Sequence, residues 1–110
     1  MQFITIDEAK QYLRVDTADE DAVIASLLSA AGNLCADVAR LTPEQWADVD
    51  SMKEKTKRYT AKELAAVRET LRVAIFYALG YLYEHREDAD HHDLTLTLRS
   101  LLFALREGVL

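Results

Sequence analysis

One cysteine, one proline and three glycines occur in the 110 residues. A lone cysteine, Cys35, can form no internal disulfide, which fits a reducing cytosol. So few Gly and Pro argue against a β-protein full of tight turns. Positive charge is short as well: 13 Lys and Arg stand against 19 Asp and Glu, a net charge of −6. An acidic chain gains no general attraction to nucleic acid, so sequence-specific DNA binding is a poor first reading. Met1 to Ile6 is short and runs straight into acidic residues, so no secretory leader is expected. No Gly-rich phosphate loop, nucleophile elbow or carboxylate pair in an apolar setting is found. The three histidines, His85, His91 and His92, have no nucleophile beside them. The chain reads as non-enzymatic.

Half of the residues are hydrophobic, enough for a packed core in a single domain over 1–110. Ala, Leu, Glu and Arg are abundant, which favours helix. Thr5 to Glu8 is a capping box and opens a helix to about Arg14, with Ile6, Ala9 and Leu13 inward and Tyr12 beside them. Thr17 to Glu20 reads as a second box, opening a helix to about Arg40. Its stripe is Ile24, Leu27, Leu28, Ala31, Leu34, Cys35 and Val38. Gly32 interrupts that helix, and a close helix crossing would explain it. Asp16, Asp19, Glu20 and Asp21 lack the glycine turn and terminal Glu of a calcium loop, so an acidic first turn is the better account. Cys35 lies on the apolar stripe and reads as a buried structural thiol.

Periodicity fails from Leu41 to Thr60. A helix start with Pro43 at its first position could carry Trp46 and Val49. Lys53, Lys55, Lys57, Arg58 and Lys62 then concentrate positive charge. They form either a solvated mobile loop or a projecting arm that meets phosphate or an acidic partner. Thr60 to Glu63 is a further box and opens a long helix to about Arg86. Asp88 to Asp93 reads as a polar turn, since the adjacent His91 and His92 point apart in regular structure. Leu94, Leu96 and Leu98 alternate with threonine, which suggests an extended stretch. A short last helix from about Leu98 to Arg106 presents Leu98, Leu101, Leu102 and Leu105, with Phe103 elsewhere. The expected fold is all-α: three main helices and a short C-terminal helix, with a long charged loop between the second and third.

The long helix has two apolar stripes. Leu64, Val67, Leu71, Ile75, Ala78 and Leu82 form one. Val73, Phe76, Tyr77, Gly80, Tyr81 and Tyr83 form the other. A helix packed on one core needs one stripe. The uncharged run Val73 to Tyr83 is well short of the roughly 20 residues that span a bilayer. The second stripe is therefore deeper core or a subunit contact.

Several segments together resemble a known family. They are Thr5-x-x-Glu8-Ala9-Lys10-x-Tyr12-Leu13-Arg14-Val15-Asp16, then Ile24-x-x-Leu27-Leu28-x-Ala30-Ala31, then Leu82-Tyr83-Glu84-x-Arg86-Glu87, and finally Leu98-x-x-Leu101-Leu102-x-x-x-Arg106. In order and spacing they resemble the head–tail connectors of long-tailed bacteriophages and prophages. The charged stretch 41–60 is longer than that family's pattern, and 88–93 replaces a Gly/Pro-rich hairpin. The resemblance implies a structural virion protein at the head–tail junction, made in the bacterial cytoplasm. It implies a homo-oligomeric ring of about a dozen copies below the portal protein, one that extends the DNA channel and receives the next head-completion or tail protein. No cofactor, metal or membrane is implied, and the acidic balance suits a lumen that DNA passes without sticking. Phe76, Tyr77, Tyr81, Tyr83, Leu98, Leu101, Leu102 and Leu105 are then the subunit-interface candidates. Lys53, Lys55, Lys57, Arg58 and Lys62 are the channel or partner-contact candidates, on a loop expected to order on assembly. The alternative is a small helical nucleic-acid-binding or packaging-regulatory protein acting through the Lys53–Lys62 segment. A metal-dependent enzyme using the three histidines is a weaker third.

Overall fold

Thr5 accepts a hydrogen bond from the Glu8 backbone, while Glu8 accepts from the Thr5 backbone; this box starts α1, Ile6–Leu13. The computed structural model describes residues 1–87 and 90–108. The other main elements are α2 (Asp21–Val38), α3 (Pro43–Val49), α4 (Ala61–Glu84), α5 (His92–Leu101) and α6 (Phe103–Arg106). No strand occurs among the described residues, and the all-α architecture is as expected.

Thr60 and Glu63 start α4 with the same reciprocal pair of bonds. Thr42 and Gln45 do so for α3, with Pro43 in its first turn. The second expected box is not formed. Glu20 is the N-cap of α2, without a side-chain cap bond, and Thr17 lies outside the helix. Glu20 instead accepts from Tyr83 and Arg86 on α4. A carboxylate occupied across the bundle does not reach back to its own helix start.

Leu94 to Leu98 is helix, not the extended stretch that alternation suggested. Leu94, Leu98 and Leu102 recur at intervals of four and are all buried. Thr95 and Thr97 donate to the carbonyls of His91 and Asp93 one turn back, which satisfies their hydroxyls inside the helix. The expected C-terminal helix is thus longer and is broken at Leu102 into α5 and α6.

The core lies between α2 and α4, which run antiparallel and share the largest contact. From α4 it takes Leu64, Val67, Leu71, Ala74, Ile75, Ala78 and Leu79; from α2, Ile24, Leu28, Ala31 and Cys35. By length and composition alone α2 could cross a membrane, yet this face of it is buried in the bundle. Phe3 and Ile4 close one side, with Ile4 and Ala9 both buried in a staple across the start of α1. Arg72 fixes this corner by donating to the Phe3 carbonyl at 2.9 Å and to the Glu8 carboxylate. Gly32 is a close approach, though not of two long helices: a Cβ there would meet Met1 Cε at 2.0 Å and Trp46 at 3.4 Å.

Candidate functional site

The second stripe of α4 divides along its length. Tyr12 from α1 stacks on Phe76, with ring centroids 5.0 Å apart. Its edge also lies against Gly80, where a Cβ would come within 3.3 Å of the ring. Tyr81 stacks on His85 at 4.1 Å and meets His91 edge-on at 5.8 Å. The Tyr83 hydroxyl donates to Glu20, and the Arg86 guanidinium lies over the Tyr83 ring and pairs with Glu20 at 3.0 Å. The Tyr83 and Arg86 hydrogen bonds hold the Glu20 carboxyl below its ordinary range, and the same bond raises the Tyr83 phenol. Four of the six positions are therefore engaged within the subunit. Val73 and Tyr77 remain open, 58% and 43% exposed.

The C-terminal candidates divide too. Leu98 and Leu102 are fully buried in the subunit's own core, and Leu105 is partly buried against it. Leu101 is exposed, as are Leu96 and Phe103, which the sequence did not single out. The helical period of α5 explains this. Leu94, Leu98 and Leu102, four apart, face inward, which puts Leu96 on the opposite side and leaves Leu101 at the margin of the inward stripe.

The basic segment is anchored at its base. Arg68 on α4 donates to the carbonyls of Val49 and Lys53, each at 2.8 Å, of Ser51 at 2.6 Å and of Asp48 at 3.2 Å. Thr56 donates to the Asp48 carboxylate at 3.0 Å, and Arg58 pairs with the same group at 3.3 Å. Lys53, Lys55, Lys57 and Arg58 line an open hollow with Asp48 and Thr56. Lys62 stands apart from it, exposed on the first turn of α4. Nothing in the sequence marked Arg68, since a helical arginine looks like any solvated charge until the loop it holds is in place.

Burial pushes the Cys35 thiol up to about 12 and keeps it protonated. Among the described residues no group of three or more His, Cys, Asp or Glu could hold a metal ion. Residues 88 and 89 of the polar turn lie outside the described residues. What the molecule offers is surface: exposed apolar side chains on α4 and on α5 and α6, with others at Tyr12, Val23 and Met52, and a basic hollow.

A family model described as phage gp6-like head-tail connector protein matches residues 3–107. No curated protein and no solved structure gives a significant match.

Proposed function

From its place in the phage gp6-like head–tail connector family, to which the chain belongs over residues 3–107, we propose that it assembles as a ring below the portal. Membership makes it a structural phage connector, a component of the virion that meets other head and tail proteins. The proposal goes further: about a dozen copies close a ring, extend the DNA channel and give the next head-completion or tail protein its seat.

The observation that carries this reading is apolar surface left over after the core has closed. Val73 and Tyr77 lie open on α4, and Leu96, Leu101 and Phe103 on α5 and α6. A closed head-to-tail ring needs two different patches that fit each other, and the exposed apolar side chains of α4 and of α5 and α6 are the candidates for them. Tyrosine suits such a contact, with an apolar body and a polar tip. Net charge −6 disfavours tight retention of DNA in a lumen.

Changing Val73→Asp with Tyr77→Asp tests it. Both side chains are exposed in the monomer, so folding should survive while ring formation, read by native mass spectrometry in the presence of portal protein, should fail. A double variant that still forms rings would count against these residues as the contact.

The basic hollow supports a second reading, in which Lys53, Lys55, Lys57 and Arg58 bind nucleic acid. Absence of salt-sensitive DNA binding by the wild type at low salt would sink it. Under the ring reading the same cations meet phosphate in the channel or an acidic partner.

A further inference from the structure

At the far end of α2, three arginines share one hollow. Asp37, Val38, Arg40, Thr95, Arg99 and Arg106 line a cleft of about 190 Å³ between the end of α2 and helices α5 and α6. Arg40 follows the last turn of α2, and Arg99 and Arg106 come from α5 and α6. The cleft thus sets three guanidiniums against one carboxylate in a chain whose net charge is −6. Among the described residues none of the three arginines makes an ion pair or a side-chain hydrogen bond. The Arg106 Nε is buried with no acceptor. Like charges gathered in this way repel each other and gain most from an incoming anion.

The opposite end of α2 carries the complement. Asp16 and Asp19 are exposed in the turn before α2 and make no ion pair among the described residues. An 18-residue helix separates the two ends by about 27 Å. The acidic turn is tied to α4 through Glu20 and Tyr83, and Arg99 sits between Leu96 and Leu101 in the sequence of α5.

We propose that the arginine cleft takes the acidic turn of a second copy of this chain, with Asp16 and Asp19 entering between Arg40 and Arg99. This rests on the ring reading and deepens it. It gives the ring a direction: the start of α2 in one subunit meets the end of α2 in the next.

The test is a charge exchange in the full chain, with portal protein present and rings counted by native mass spectrometry. Arg40→Glu with Arg99→Glu should abolish rings, and so should Asp16→Lys with Asp19→Lys. All four changes in one chain should restore them. Arg40→Gly provides a variant that leaves folding intact, because Arg40 holds φ 59°, where glycine is at ease. It should melt no lower than wild type and yet assemble less. If the arginine variants still form rings, the cleft is not the contact, while the ring reading stands. Loss without rescue overturns the acidic turn as the occupant. If wild type forms no ring on the portal, both readings fall.

Discussion

Tyr12 lies flat on Phe76, bringing a ring from α1 over the second apolar stripe of α4 at a centroid distance of 5.0 Å. The stripe is thereby not all core. Its middle is covered within the subunit, and its solvent edge at Val73 and Tyr77 is left open. Tyr12→Ala should cost about 1–2 kcal/mol, from a lost aromatic stack and some exposed apolar area. Denaturant unfolding measures this. No loss would mean that the ring is held without energy.

Thr5, Thr42 and Thr60 each complete a reciprocal cap, whereas Thr17 caps nothing. Alanine at Thr5 or Thr60 should cost about 1 kcal/mol, and at Thr17 close to zero. Equal losses at Thr17 and Thr60 would show that the start of α2 is built differently.

Arg68 is the clasp of the basic segment. Arg68→Met keeps much of the stem but removes the bonds to four backbone carbonyls. Stability should fall by about 2–3 kcal/mol, since those carbonyls lose a charged donor. Hydrogen exchange should quicken between residues 49 and 60, with α2 and the centre of α4 little changed. Uniform acceleration across the chain would mean that Arg68 supports the whole bundle.

Acid should loosen the α1 corner. Desolvation pushes the Glu8 carboxyl up, but the Thr5 backbone bond and Arg72 outweigh it, and the net value is below the ordinary 4.5. A depressed folded value means that the contribution is complete above 4.5 and is lost as pH falls through the lower folded value. Glu8→Gln should therefore destabilise at pH 7 and flatten the decline of stability below pH 4.5. An unchanged acid limb would show that Glu8 gives no such linkage.

The helices were legible where a capping box met an apolar period, as at Thr5 and Thr60. Thr17 to Glu20 has the same letters, but Glu20 is drawn to Tyr83 and Arg86, and sequence carries no sign of that distant competition. Leu94 to Leu98 satisfies periods of two and four at once. Only the burial of Leu102 as well as Leu98 distinguishes them. Ala74 and Leu79 widened the core face beyond the single stripe read at intervals of three and four. The interface candidates were chosen as apolar residues in excess of one core. Leu98 and Leu102 are buried inside, Leu101 stays exposed as a candidate, and Leu96 and Phe103 join it at the surface.

The central claim is that this monomer carries two unlike patches that close a ring. Imaging of the purified full chain, alone and mixed with portal protein, tests it most directly. The account predicts rings of about a dozen subunits, at the latest once the portal is present. A chain that stays monomeric at every concentration and decorates the portal with no ring would contradict it.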